Sequence, residues 1–367
     1  MVKEIKIQNY KSVQDLTLEL GRINVLIGAN GCGKSNILEA IAFGSAAVDD
    51  KLGNEFLSSR GIRVTDPIWM KSGFDKKASK ETISLNLNVN DEDIFLLIDN
   101  DNKSFSEWKV IRKIEDLKID KDNLDLLLDG KIDLAKFDSL LKKNKIEELE
   151  NFLIYAPENT FLRKFEEESQ IEPLGIRGEG LFKLLSVMSQ ETPEEFQEII
   201  ENLELIDWFE GFEIPKDLVF TERRIRIKDR FLEEGLQYFD QRSSNEGFLF
   251  LMFYFALFIS KYTPKFFAID NIDASLNPKL CIELIKILTK LSKKHDKQVI
   301  FTTHNPAILD GLNLNDDEVR LLVVSRNKEG HTKTKRITPT IVPEGEKPVR
   351  LSVQFMRGYI GGLPKNF

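Results

Sequence analysis

Hydrophobic and polar positions change period several times along the chain, and each change marks an element. Lys3–Ile7 reads as a strand, and in Leu16–Leu20 the leucines at 16, 18 and 20 fall on one face of a second strand. Ile23–Ile27 is apolar except for Asn24, as in a strand covered on both faces. A glycine-rich turn from Gly28 to Gly33 follows, and a helix is predicted from Lys34 to about Phe43. Far downstream, Lys265–Asp270 and Gln298–Thr303 are short apolar strands. Pro278 opens a helix between them, because the fixed φ and missing N–H of proline suit a first helical turn. Two apolar strands joined by a helical crossover predict an α/β fold, a mixed sheet flanked by helices.

The run Phe248–Ile259, FLFLMFYFALFI, is apolar all round and falls short of the roughly 20 residues that cross a bilayer, so it predicts a buried helix. Thr82–Val89 and Ile94–Ile98 alternate as antiparallel strands do, and Lys118–Asn151 reads as short charged helices. After His304 come a hairpin (VRLLVVSR, turn NKEG, TKRITPTIV) and a tail, RGYIGGLPKNF. The expected organisation is a core in two halves, 1–48 and 240–367, with an inserted α+β module at 49–239, part of which returns to the core sheet. No heptad pattern lasts long enough for a coiled-coil arm.

Composition narrows the classes. The 367 residues are 41% hydrophobic with 26 Phe, ample for a large core. With 52 basic against 60 acidic residues the net charge is −8, so nucleic acid or anionic lipid would need a local patch. Cys32 and Cys281 are the two cysteines, which excludes a disulfide framework. The opening MVKEIKIQNY lacks a basic-then-apolar leader, and a reducing cytoplasm with no membrane partner is the expected setting.

The chemistry concentrates in Gly28-Ala29-Asn30-Gly31-Cys32-Gly33-Lys34-Ser35, which fits the phosphate-cradling pattern GxxxxGK[ST] between a strand and a helix. A chance glycine turn would not require those neighbours. Backbone N–H groups of Asn30, Gly31, Cys32, Gly33 and the helix start through Asn36 would face phosphates, Lys34 would reach the outer ones, and Ser35 would ligate Mg²⁺. Cys32 reads as filler. Asp270, ending an apolar strand, supplies a second oxygen for the metal. The expected cofactors are ATP and Mg²⁺.

This order of P-loop, serine-containing glycine turn before a buried helix, strand ending in Asp, ASLNP, and strand ending in His resembles the ABC-type ATPases of the RecF, SMC and overcoming-lysogenization-defect group, including ATPase subunits of bacterial anti-phage systems. The likeness covers residues 1–45 and 240–310, and more loosely YAPENTFLR and the tail. It implies that Asp270 is the Walker B aspartate, Ala274–Pro278 the D-loop and His304 the switch histidine; a capped loop and a surface histidine are the plainer alternatives. It implies that the turn Arg242–Gly247 is the signature, with Ser244 or Ser243 as hydroxyl donor beside Gly247, the register open by one residue and an ordinary N-cap the alternative. Such a signature implies two chains stacked head to tail, as a dimer or higher oligomer, with ATP at the joint. Tyr155–Asn159 stands where relatives carry a Q-loop, without its Gln, and an ordinary strand exit is equally open.

Relatives have Glu after the aspartate; here Asn271 stands there, and an amide cannot act as a general base. Asp273 either substitutes for it or is an exposed loop carboxylate. Slow hydrolysis is expected. Along Arg223–Arg230, the side chains of Arg224, Arg226, Lys228 and Arg230 would share a strand face, able to hold a DNA or RNA backbone or else paired with carboxylates at the surface. Three His and two Cys are few for a separate metallonuclease site, so a nuclease or toxin output is expected from a partner chain. The resulting expectation is a slow Mg-ATPase acting as sensor or motor in anti-phage defence. The alternatives are a RecF-like repair ATPase on duplex DNA and a nucleotide-gated scaffold with negligible turnover.

Overall fold

A computed structural model describes residues 1–74, 81–103, 106–112, 149, 151–165, 172–215, 223–233, 235–236, 238–339 and 349–363. The chain opens with a hairpin, β1 (Val2–Tyr10) and β2 (Val13–Glu19), and continues into β3 (Ile23–Ile27). Three later strands, β4 (Ile83–Val89), β5 (Glu92–Asp99) and β6 (Lys109–Arg112), extend the hairpin into an antiparallel sheet ordered β2-β1-β4-β5-β6. β4 alternates buried and half-buried side chains, as its sequence predicts. The charged helices expected over Lys118–Asn151 lie outside the described residues, apart from Leu149 and Asn151.

β7 (Ile154–Tyr155) belongs to the second sheet. Beyond it, β8 (Phe209–Glu213), β9 (Arg226–Asp229) and β10 (Tyr238–Phe239) form a small antiparallel sheet. The last four strands are β11 (Phe266–Ile269), β12 (Gln298–Thr303), β13 (Val319–Arg326) and β14 (Thr332–Ile337). The second sheet runs β14-β13-β3-β12-β11-β7, with β14 antiparallel at one edge and the other strands parallel. The expected mixed α/β sheet is therefore present.

Both faces of that sheet are covered, which is why β3, β11 and β12 have no exposed position. Alternate residues serve opposite sides. Leu26, Phe266 and Ile300 pack with α1 (Lys34–Val48) and the antiparallel sheet, whereas Val25, Phe267 and Phe301 face α4 (Glu246–Ile259) and α5 (Pro278–Lys294). α1 is longer than its sequence suggests and lies between the two sheets. α2 (Leu181–Glu191) and α3 (Pro193–Leu203) join the second core. In α4 every residue from Phe248 to Ile259 is buried, as the apolar run predicts, and Phe258 meets Phe267 edge-on at 5.2 Å. Each such ring removed from water contributes about 1.5–3 kcal/mol.

Two buried polar residues tie the layers. Asn24, the break in the β3 run, donates to Gly21 O (2.9 Å) and Val299 O (3.1 Å), so its burial is satisfied. Gln298 donates to Val2 O (2.7 Å) and Gly21 O (2.8 Å), pinning the start of β1 to the parallel sheet.

Candidate nucleotide-binding site

The loop Gly28–Gly33 leaves β3 at its carboxyl end and delivers the chain into α1. Gly33 sits at φ 109°, and a Cβ there would lie 2.0 Å from Thr332 Oγ1, so only glycine fits where β14 crosses the loop. Thr332 in turn donates to Cys32 O (3.0 Å), and Asn36 donates to Ser12 Oγ (2.7 Å), which is 2.7 Å from Thr332 Oγ1. Cys32 is buried against this frame, whereas Asn30 and Gly31 are exposed at the mouth.

Lys34 is only 6% exposed. Its Nζ donates to Gly28 O (2.8 Å) and Ala29 O (3.3 Å) and is 3.4 Å from His304 Nδ1. Burial holds the ammonium below its ordinary range, with Cys32 and Asp270 pulling it back. A buried cation resting on neutral carbonyls at a helix N-terminus suits an anionic phosphate.

Ser35 Oγ donates to Asp270 Oδ2 at 3.1 Å, joining α1 to the end of β11. A hydroxyl and a carboxylate side by side are the hard oxygen donors that Mg²⁺ takes, so these residues fit that ion. The other Asp270 oxygen accepts from Thr302 Oγ1, and the same hydroxyl accepts from Asn271 N–H (2.9 Å). Thr302 is fully buried on β12 and so fixes both the carboxylate and the following peptide. Thr302→Val should weaken Mg²⁺ about ten-fold in titrations at fixed ATP, the worth of a hydrogen bond to a charged group, while Thr302→Ser should not. Equal behaviour of the two variants would contradict this.

Asn271 is exposed at φ 55°, in the left-handed region that Asn tolerates better than most residues. Asp273 is half-buried and accepts from Thr303 Oγ1 at 2.5 Å. Its charge acts on both Lys34 and His304. The His304 ring is held below its ordinary value by burial first and then by Lys34. Asn277 caps α5, accepting from Leu280 N–H at 3.0 Å.

The turn before α4 differs in detail from its sequence reading. Its N-cap is Asn245, which accepts from Phe248 N–H (2.8 Å). Ser244 is buried and its Oγ has no hydrogen-bond partner, whereas Ser243 is exposed; the hydroxyl facing outward is that of Ser243. Gly247 lies against the loop Ala274–Pro278, with Ser275 O 3.2 Å from where its Cβ would be. The turn is clamped by Arg163, which donates to Arg242 O (2.6 Å) and Ser244 O (2.8 Å). Arg163 belongs to the short helix Asn159–Lys164 that follows β7, and β7 pairs with β11 so that Asp270 N–H donates to Tyr155 O at 2.8 Å. YAPENTFLR thus connects Asp270 to the turn Arg242–Gly247, a link no local pattern announces.

A cleft of about 490 Å³ adjoins the P-loop helix, lined by Lys11, Asn36, Arg63, Trp69, Lys71 and Arg326 among others. Lys11 and Arg63 both bind the buried Glu39, and Trp69 is 67% exposed. An exposed aromatic within a cationic cleft can take a base and its sugar phosphate. The basic strand is otherwise engaged: Lys228 bonds Glu210 (2.5 Å), Arg226 approaches Glu213 (3.5 Å), and Arg230 donates to Phe209 O, with Ile225 and Ile227 buried beneath. Arg226 and Lys228 are thus paired with carboxylates, and Arg224 lies just before the strand at half exposure. Among the described residues no further group of three or more His, Cys, Asp or Glu is placed to hold a metal, and no helix is long and apolar enough to cross a membrane.

Residues 23–310 match the family described as "AAA domain, putative AbiEii toxin, Type IV TA system". The chain belongs to this family. Its sequence relatives include ATPases of the Rad50 and OLD kind. It is 30% identical over 155 residues to the DNA double-strand break repair Rad50 ATPase of Sulfolobus acidocaldarius, a match covering 41% of this chain and 14% of that protein. It is 34% identical over 64 residues to the OLD nuclease of Thermus scotoductus, covering 17% of this chain and 11% of that protein. The chain thus spans a small part of those relatives. In fold it is similar to an SMC head solved with the C-terminal winged-helix domain of ScpA, with a TM-score of 0.54 at 17% identity over 92% of this chain and 98% of that one.

Proposed function

We propose that the chain binds Mg-ATP, hydrolyses it slowly and pairs head to tail with a second copy, and that the state of this pair controls a separate nuclease or toxin chain in bacterial anti-phage defence. The observation that carries the reading is the joint of α1, β11 and β12, where Lys34 meets His304 and Ser35 meets Asp270, with Asn271 in place of a carboxylate.

Lys34 would turn from the Gly28 and Ala29 carbonyls to phosphate oxygens, and Ser35 with Asp270 would hold the metal. Bound Mg²⁺ would neutralise charge between the outer phosphates. Asn271 can orient a water by hydrogen bonding but cannot take its proton. His304 can hydrogen-bond a phosphate oxygen beside Lys34. The exposed Ser243, held in place by Arg163, would meet the phosphate of the other copy, since the signature reading assigns that turn to the partner's nucleotide.

Similarity to a repair ATPase favours DNA maintenance as the second reading, although the ion pairs of Arg226 and Lys228 argue against β9 as a DNA contact. Light scattering with Mg²⁺ and a slowly cleaved ATP analogue should double the mass seen with ADP. An unchanged mass would remove the pairing.

A further inference from the structure

The chain beyond the short helix Leu351–Met356 folds back onto the P-loop. Ile360 is 7% exposed within the second core, and Gly362 O accepts from Ala29 N–H at 3.0 Å. Ala29 is the second residue of the loop, and its carbonyl, with that of Gly28, holds the Lys34 ammonium. The approach is close. A Cβ on Gly362 would stand 2.6 Å from Val323 Cγ1, 3.0 Å from Phe355 Cε2 and 3.7 Å from Gly28 Cα. Gly361 and Gly362 are both left-handed, at φ 84° and 85°, yet a Cβ on Gly361 would meet nothing within 4 Å. The second glycine is therefore required by contact as well as by backbone angle.

We propose that Gly362 is a positioning residue for nucleotide binding: its carbonyl fixes the first peptide of the P-loop so that the cradle keeps its shape when Lys34 leaves it for a phosphate. The proposal rests on the P-loop reading above. β3 ends at Ile27, so the sheet ladder does not restrain Ala29. Once Lys34 departs, the peptide after Ala29 keeps a turn bond from Cys32 N–H to Ala29 O (3.3 Å), while the Gly28–Ala29 peptide keeps the bond from its N–H to the tail. Without the tail, ordering that peptide would be charged against binding. Coupling of this kind is reciprocal, so a nucleotide that orders the loop also orders residues 358–363.

The paired glycines supply a matched test. Gly361→Ala and Gly362→Ala introduce the same left-handed strain, but only the second displaces the tail from the loop. Calorimetry with Mg-ATP should show Gly362→Ala binding about ten-fold more weakly, the factor one backbone hydrogen bond is worth, and Gly361→Ala within about two-fold of the parent. Equal losses, or no loss in either, would overturn the proposal. Should Gly362→Ala fail to fold, amide exchange on the parent chain decides: Mg-ATP should slow exchange in residues 358–363 together with the P-loop, and an unaltered tail beside a protected P-loop would overturn it. Absence of heat with the parent chain would instead refute the nucleotide reading itself, and the proposal with it.

Discussion

Asn271→Glu is expected to raise single-turnover ATP hydrolysis by about 10²-fold or more. A positioned general base is worth about 10²- to 10⁴-fold, or roughly 3 to 5 kcal/mol of barrier, and an amide offers none of it. Position 271 follows Asp270 directly, and its N–H is fixed by Thr302, so a longer carboxylate would start from a defined backbone. The left-handed backbone costs folding stability on the order of 1 kcal/mol, since Glu tolerates that angle less well than Asn, but this strain is shared by ground and transition states. The measurement is a quenched-flow single turnover with enzyme in excess. A rate unchanged in Asn271→Glu but abolished in Asp273→Asn would move the role to Asp273, which the Thr303 hydroxyl already holds.

Lys34→Ala should weaken ATP by about 10²- to 10⁴-fold, because two charge-assisted hydrogen bonds to phosphate are lost at about 1.5–3 kcal/mol each. The substitution should not unfold the chain. Among the described residues Lys34 makes no carboxylate pair that its removal would orphan, and burial already disfavours its charge. Equilibrium titration with a fluorescent ATP analogue reads the affinity, and a melting curve checks the fold. A fully folded variant with parental affinity would remove Lys34 from the site.

The apolar runs of β3, β11, β12 and α4 were legible because a strand or helix buried on all sides admits few polar residues, and the glycine-lysine turn between β3 and α1 is a local signal. The polar break at Asn24 was legible only as a break; its three partners come from Gly21 and Val299, the latter far along the chain. The cleft could not be read, since Lys11, Arg63, Trp69 and Arg326 converge from four segments with no common spacing. The same holds for Arg163 on the signature turn and Gly362 on Ala29. Which serine of that turn faces outward depends on the backbone before α4, because Asn245 takes the capping position and turns Ser244 inward. The α2–α3 pair escaped notice through its mixed charge; α3 buries Ile199 and Leu203 while keeping Glu194 and Glu195 in its first turn, where a helix favours acids.

The central claim is that Lys34, Ser35 and Asp270 together grip a magnesium-bound triphosphate. Calorimetry of the purified chain, titrated with ATP in the presence and absence of Mg²⁺, tests it most directly. The account predicts saturable heat that strengthens with the metal and is lost in Lys34→Ala. A folded parent chain that takes up no ATP under either condition would contradict it.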